Sequence, residues 1–263
     1  KPKKSLGQNF LINTGILGKI VGEAELSPDD TVLEIGPGTG NLTKLLSQKA
    51  GRVIAIEKDY RLIEGLREKF KNSNVEIIEG DVLKLDIERL FENCKLKIEN
   101  CHYKIAGNIP YYITSNLLRT IFEEWPKPKL IVLTVQKEVA KRIVAKPPHM
   151  NLLALSVQFY SDPKIVGYVS KGSFRPAPKV DSAIIKLIPH NQSPTTGLEM
   201  FFKLAKAGFS GKRKQLANNL VKNFGMMKEE VTNILETAGI EPAIRAENLS
   251  LNQWMELSKL MEK

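Results

Sequence analysis

The chain has 263 residues, of which 42% are hydrophobic, enough for one sizeable α/β domain and a small appended one. Lysine and arginine outnumber aspartate and glutamate by 39 to 29, and the net charge of +10 favours a polyanionic partner such as nucleic acid. No apolar run approaches the roughly 18 residues of a membrane span, and two cysteines and three scattered histidines argue against a zinc site or a Cys or His nucleophile. We therefore expect a cytoplasmic protein without a resident metal.

Short apolar runs rich in valine and isoleucine alternate with helical patterns along most of the chain, which predicts a mostly parallel sheet with helical crossovers. Two later runs, joined by a proline-rich turn, predict an antiparallel pair at one edge and complete a seven-stranded, Rossmann-like sheet. The predicted helices cover residues 42–49, 62–70, 136–144 and 152–159. The predicted strands cover residues 31–35, 52–57, 75–79, 103–106, 130–135, 164–169 and 183–188.

The pattern changes after Pro189. A polar hinge at residues 190–197 is followed only by segments with helical periodicity. We therefore predict an α/β domain at residues 1–189 and a small all-helical domain at residues 190–263. Its predicted helices cover residues 198–207, 213–223, 228–238 and 251–261.

Three glycines, Gly36, Gly38 and Gly40, lie between the first long strand and the next helix. Glycine permits positive φ and lets the backbone pass close to a ligand. The G-x-G-x-G spacing is tighter than the G-x-G-x-x-G of dinucleotide-binding proteins, whose wider loop exposes helix amides to a pyrophosphate. S-adenosylmethionine has no phosphate and needs only a close backbone wall, so the loop predicts a site for this cofactor. A turn with incidental glycines is the alternative.

Two acidic residues lie at the ends of the next two predicted strands: Glu57 ends one, and Asp81 follows the other. Glu57 lies where a carboxylate accepts hydrogen bonds from both hydroxyls of a ribose, with a surface ion pair to Lys58 as the alternative. Asp81 is placed to bind the adenine amino group of the cofactor, with a turn or helix-cap role as the alternative. The carboxyl ends of parallel strands meet at one edge, so these residues are expected to converge on one crevice.

The fourth strand ends in Asn108-Ile109-Pro110-Tyr111. The amino nitrogen of adenine is a poor nucleophile because its lone pair is delocalised into the ring. If the side-chain oxygen of Asn108 and the carbonyl of Ile109 each accept one of its hydrogens, the lone pair is localised and can be methylated without a general base. Pro110 fixes φ beside that carbonyl, and Tyr111 offers a ring for an extruded base. A structural turn with a core tyrosine is the alternative.

These motifs, in this order, resemble the family of small-subunit ribosomal RNA adenine N6-dimethyltransferases. The resemblance implies methylation, with S-adenosylmethionine, of two adjacent adenosines in a hairpin loop near the 3′ end of small-subunit rRNA. It implies an N-terminal cofactor-binding domain, a C-terminal RNA-binding domain and the immature small subunit as partner; we also expect a monomer. The matching segments are residues 4–11, 34–40, 108–111, 174–182, 209–216 and 245–247.

The resemblance also implies residue roles that the pattern alone does not give. Asn9 and Leu11 are expected to fold over the cofactor, and Phe174 to form a second aromatic wall for the target base, with a core phenylalanine as the alternative. The chain departs from the family at Tyr112, where a small polar residue is usual. It also departs at residues 152–154, where Leu-Leu-Ala replaces a Tyr-Gly-Arg-like segment and puts one RNA contact in doubt.

An enzyme that flips a base out of RNA needs a basic rim around its pocket. Each lone cation is also explained as a solvated surface charge, whereas a basic cluster at a predicted helix start opposes the helix dipole and favours an RNA contact. The candidates are Lys3, Lys4, Lys137, Lys141, Arg142, Lys212, Arg213 and Lys214.

Three other functions fit parts of the sequence. One is a large-subunit rRNA adenine methylase of the macrolide-resistance type, whose tetrapeptide is similar. Another is a ribosome-assembly factor that binds RNA without catalysis. A nicotinamide dehydrogenase is disfavoured by the spacing of the glycine loop and by the lack of a hydride-relay histidine or lysine.

Overall fold

A computed structural model of the chain describes residues 6–93, 103–191 and 197–262. The chain forms two compact units. The first comprises Lys1–Ala140 and Asp162–Pro189, and the second comprises Lys141–Ser161 and His190–Lys263. Among the described residues, none of the helices is long and apolar enough to cross a membrane.

The central strands of the first unit carry buried apolar side chains on both faces, as in parallel sheets covered by helices on both sides. Every predicted strand is present, and most bounds agree to within two residues. The strands are β1 Phe10–Leu11, β2 Thr31–Ile35, β3 Arg52–Glu57, β4 Val75–Glu79, β5 Tyr103–Asn108, β6 Leu130–Gln136, β7 Ser161–Val169, β8 Phe174–Arg175 and β9 Ser182–Pro189.

Seven of these strands form one sheet in the order β4-β3-β2-β5-β6-β9-β7, which confirms the predicted fold class. The strands from β2 to β6 run parallel to one another, while β9 runs antiparallel to β6. Strand β7 lies outside β9 at the edge, where the sequence predicts the last pair. A separate two-stranded sheet joins β1 to β8 in antiparallel register.

Helices cover the sheet and make up most of the second unit. The pattern missed α1, α4 and α5; in α1 the three glycines Gly15, Gly18 and Gly22 each lower helix propensity by about 1 kcal/mol relative to alanine. The helices are α1 Thr14–Glu23, α2 Asn41–Ser47, α3 Tyr60–Lys69, α4 Ile87–Asn93, α5 Thr114–Glu123, α6 Lys137–Ile143, α7 Leu152–Tyr160, α8 Leu198–Gly208, α9 Leu216–Phe224, α10 Lys228–Thr237 and α11 Leu251–Met261.

The second unit includes a segment that the sequence pattern assigned to the N-terminal domain. Helix α7 is apolar on most sides and packs on α8, with the Phe159 ring centroid 4.4 Å from that of Phe201 and 5.6 Å from that of Phe202. Trp254 of α11 is fully buried and stacks on Phe209. Residues 141–161 therefore group with the C-terminal helices, although the domain boundary we predict at residue 189 leaves them in the first domain.

Candidate active site

A crevice lies at the carboxyl ends of β2, β3, β4 and β5 in the first unit. This is the edge where open α/β sheets bind their ligands. The crevice is lined by all seven residues that we predict to bind the cofactor, so the expected convergence of separate strand ends is present. These residues are Asn9, Leu11, Gly36, Gly38, Glu57, Asp81 and Asn108.

The glycine loop after β2 is a backbone wall of this crevice. Gly36, Gly38 and Gly40 have φ values of 71°, 58° and 76°, in the region that other residues avoid. A Cβ on Gly38 would lie 2.7 Å from Cδ1 of Phe10, so a side chain has no room there. The loop therefore depends on glycine for both its conformation and its close approach to the N-terminal segment.

Glu57 lies at the end of β3 and is only 6% exposed. Its Oε2 accepts a hydrogen bond from the Gly38 amide at 3.0 Å, and its Oε1 accepts one from the Asp59 amide at 2.8 Å. Burial raises the pKa of the Glu57 carboxyl, while these amides oppose the rise. Each oxygen keeps a second lone pair for a ligand hydroxyl. The alternative of a surface carboxylate paired with Lys58 is not what the structure shows.

Lys58 pairs instead with Asp81, with 2.8 Å between Nζ and Oδ2. The Leu83 amide also donates to Asp81 Oδ1 at 3.2 Å. Partial burial raises the pKa of Asp81, but the hydrogen bonds from Lys58 and the Leu83 amide, together with the positive charges of Lys58 and Lys84, outweigh it and hold the pKa below its usual range. Asp81 therefore lines the crevice as an ionised acceptor and also fixes the turn after β4, so both of its predicted roles are compatible.

Asn108 faces the crevice from the end of β5. Its Nδ2 donates to the carbonyl of Asn9 at 2.8 Å, which orients the amide and leaves Oδ1 without a hydrogen bond from the described residues. The Ile109 carbonyl likewise accepts none from that part of the chain, and Pro110 has a φ of −59°. Two free acceptor oxygens on consecutive residues are the arrangement that the amino group of a base requires.

Tyr111 and Phe174 do not line this crevice. The Tyr111 hydroxyl lies 2.6 Å from Ser182 Oγ, and burial raises the pKa of this phenol. Phe174 is 2% exposed and belongs to the core cluster that contains Leu11 and Ala106. A ring that binds a base must offer a free face, and the Phe174 ring offers none here, so its role as a wall for the base stays a prediction.

The lining instead includes Tyr112, the residue that departs from the family pattern. Its ring is 60% exposed and lies against Gly7, where a Cβ would be 3.3 Å from Cε1 of the tyrosine. Gly7 has a φ of 61°, a backbone conformation that glycine adopts readily and other residues avoid. Tyr112 therefore contacts the N-terminal segment beside the crevice.

The N-terminal segment lies along the crevice and is held by contacts that the sequence pattern did not reveal. Strand β1 pairs with β8, Gln8 donates to Asp59 Oδ2 at 2.8 Å, and Asn41 donates to the Leu11 carbonyl at 3.1 Å. A two-residue strand has no periodicity to detect. From the sequence, only the family resemblance could indicate that Asn9 and Leu11 lie near the crevice.

A further lining residue, Glu34, was quoted in the motif but given no role by sequence reasoning. It is 1% exposed, and neither carboxyl oxygen accepts a hydrogen bond from the described residues. Burial, with a smaller contribution from the charge of Glu57, raises the pKa of Glu34 to about 8, against the opposing effects of the Thr43 hydroxyl and Lys69. A buried acid without a partner is held in its neutral form.

A family model described as ribosomal RNA adenine dimethylase matches residues 1–263. The chain belongs to this family. A ribosomal RNA small subunit methyltransferase A from Dehalococcoides mccartyi is 47% identical over 98% of the chain and 87% of its own length. A protein of the same name from Streptococcus pneumoniae is 39% identical over 99% of the chain and 92% of its own length.

Two solved structures of methyltransferases share the fold of this rRNA adenine dimethylase. A dimethyladenosine transferase from Plasmodium falciparum is 31% identical, with a TM-score of 0.80 over 94% of this chain and 95% of its own. The 23S rRNA methyltransferase ErmE is 27% identical, with a TM-score of 0.77 over 97% of this chain and 100% of its own.

The dimethylase family uses S-adenosylmethionine, and the crevice fits this cofactor. The close glycine wall, the buried Glu57 with free lone pairs and the ionised Asp81 suit its uncharged hydroxyl and amino groups. The unpartnered carboxyl of Glu34 is a further polar group of the lining that a ligand can engage. The described residues contain no cluster of His, Cys, Asp and Glu that could hold a metal ion.

The predicted RNA-binding cations of the dimethylase lie in different parts of the chain. Lys141 and Arg142 are exposed on α6, and Lys4 is outside the described residues. Lys212, Arg213 and Lys214 are exposed as well, but α9 begins at Leu216, so the helix start that we predict at residue 213 is three residues too early. The three cations form a turn just before it.

That basic turn is held by a buried residue of α9 that sequence reasoning missed. Asn219 is 4% exposed, and its Nδ2 donates to the carbonyls of Gly208 at 2.7 Å and Gly211 at 3.1 Å. A Cβ on Gly211 would lie 2.4 Å from Asn219 Oδ1, so only glycine leaves room for this bond. The sequence does hold a signal for this role of Asn219, because it is the one polar residue among the buried positions of α9.

Proposed function

We propose that this dimethylase transfers methyl groups to N6 of two adjacent adenosines in a hairpin loop near the 3′ end of small-subunit rRNA. The product would be N6,N6-dimethyladenosine, formed on the immature small subunit by a monomer in the cytoplasm. The observation that carries the proposal is the pair of free acceptor oxygens on Asn108 and Ile109 beside the crevice. The names of the small-subunit relatives support the choice of RNA.

The residues at the end of β5 would activate the adenine amino group. Asn108 Oδ1 and the Ile109 carbonyl accept the two N6 hydrogens, which draws the nitrogen toward tetrahedral geometry and turns its lone pair toward the crevice. When bound, S-adenosylmethionine supplies the methyl group of its sulfonium, so N6 gains a carbon and afterwards sheds a proton. We propose that Tyr111 and Phe174 hold the extruded base by stacking once RNA binding has uncovered a face of the buried Phe174 ring.

The decisive experiment compares isolated small and large ribosomal subunits that lack these modifications. Each is incubated with the protein and labelled S-adenosylmethionine, and rRNA fragments are analysed by mass spectrometry. We expect four methyl groups on two neighbouring adenosines of the small subunit. Methylation of the large subunit alone would favour the function named for ErmE, and RNA binding without methyl transfer would favour an assembly factor.

We propose that residues 190–263 bind RNA through the basic turn. Lys4, Lys141 and Arg142, which lie earlier in the chain, are proposed to contribute further contacts to the RNA. Replacing Lys212, Arg213 and Lys214 by alanine is expected to weaken RNA binding. The slope of log K against log salt should become shallower by about 0.7 to 0.9 for each lost phosphate contact. Binding is measured at several salt concentrations.

The control is a triple alanine variant at Lys44, Lys49 and Lys71, which are exposed in the first unit and change the net charge equally. It should leave the slope near that of the wild type. An unchanged slope in the basic-turn variant, or equal losses in both variants, contradicts a local role for the turn.

A further inference from the structure

An exposed aromatic ring with a lysine above it lies on the first unit outside the crevice. Tyr168, near the end of β7, is 56% exposed, and Nζ of Lys137 lies 5.2 Å from the centroid of its ring. Tyr168 is not part of any motif, and Lys137 entered the sequence analysis only as one of several basic residues. A large exposed aromatic side chain paired with a cation is chemically suited to a nucleotide, because the ring stacks on a base and the ammonium binds a phosphate.

The backbone places this pair beside the tetrapeptide. The Lys137 amide donates to the carbonyl of Asp181 at 3.0 Å, and the next residue, Ser182, lies 2.6 Å from the Tyr111 hydroxyl. Ser182 is also the register partner of Gln136, the last residue of β6. The Tyr168–Lys137 pair is thus linked through two consecutive residues to the tyrosine that follows Asn108-Ile109-Pro110.

The charged groups near the pair have both signs. Lys171 is exposed on the turn after β7, and its amide donates to Asp181 Oδ1 at 3.1 Å, so the nearby carboxylate is engaged by the backbone. Lys137 and Lys171 are thus accompanied by the exposed carboxylates of Asp181 and Glu138, so the attraction for RNA comes from the net charge of the chain. The whole chain carries a charge of +10, which attracts RNA to such a surface.

We propose that Tyr168 and Lys137 form a stacking platform for a nucleotide that flanks the target adenosine. The inference rests on the proposed function, since it takes rRNA as the substrate. Extruding one base leaves its neighbours partly unstacked, and an exposed ring linked to the tetrapeptide replaces that lost stacking. Tyr168 acts as a positioning residue because it holds the strand and does not touch the reacting nitrogen.

The test uses the full-length protein and a small-subunit rRNA hairpin with 2-aminopurine next to the target adenosine. Tyr168→Ala is expected to raise KM for this RNA about tenfold with kcat changed less than about twofold, and to abolish the stacking quench of 2-aminopurine fluorescence. Tyr168→Phe keeps the ring and should restore both values. Lys137→Ala should raise KM and make the salt slope shallower by about 0.7 to 0.9.

The matched control is Tyr60→Ala, since Tyr60 is 69% exposed on α3 and has no place in the proposal. A wild-type KM and quench in Tyr168→Ala, or an equal defect in Tyr168→Phe, overturns the platform. If the proposed function itself fails, the wild-type protein will not methylate the small subunit at all. The two failures are therefore distinguishable.

Discussion

Replacing Asn108 with alanine is expected to lower the rate of methyl transfer to adenosine by about 100- to 1,000-fold, the usual loss when one preorganised polar contact to the reacting group is removed. The Asn108 Oδ1 is one of two free acceptors beside the crevice, and without it the N6 lone pair stays delocalised. RNA affinity should remain within about twofold, because the basic turn is unchanged. Single-turnover rates at saturating cofactor and RNA measure the effect.

A control is needed because Asn108 also holds the N-terminal segment through the Asn9 carbonyl. Asn41→Ala removes a second bond to that segment, the one to Leu11, and leaves the acceptor oxygens in place. It should weaken cofactor binding while the saturated rate falls far less than in Asn108→Ala. A saturated rate for Asn108→Ala within tenfold of the wild type would show that this oxygen does not activate the adenine nitrogen.

The parallel sheet could be predicted because its physical cause is visible in the sequence. Strands buried on both faces need nearly continuous apolar runs, and the runs at β2, β3 and β6 lie within one residue of their predicted ends. The same logic brought residues that we predict to bind the cofactor to one edge of the sheet, since Glu57 ends its strand and Gly36 and Asp81 follow theirs. A residue that ends a parallel strand is placed by topology alone.

Contacts between distant short segments could not be predicted in this way. The pairing of β1 with β8 joins residues 10–11 to residues 174–175, and neither segment is long enough to show a period. Phe174 is one of the paired residues and is buried. The sequence therefore could not show whether its ring is free to stack on a base. The bond from Asn219 to the basic turn is likewise set by tertiary geometry.

The buried acid in β2, just before the glycine loop, also escaped prediction, because a glutamate inside a strand gives no sign of how deeply it is buried. Glu34 is 1% exposed and has a pKa of about 8, raised chiefly by burial. Below about pH 4.5 this carboxyl is protonated in both the folded and the unfolded protein. Between pH 4.5 and 8 the unfolded chain ionises while the folded protein keeps the proton, so the free energy of unfolding falls as the pH rises.

We therefore expect the free energy of unfolding of the wild type, relative to Glu34→Gln, to fall by up to about 5 kcal/mol between pH 4.5 and 8 and then to level off. The neutral amide cannot ionise, so the variant lacks this contribution. Urea denaturation of both proteins at several pH values measures the difference. Glu79→Gln is the control, since Glu79 is exposed at the end of β4, and its difference from the wild type should stay nearly flat. A flat difference for Glu34→Gln as well would mean that the Glu34 carboxyl ionises normally in the folded protein.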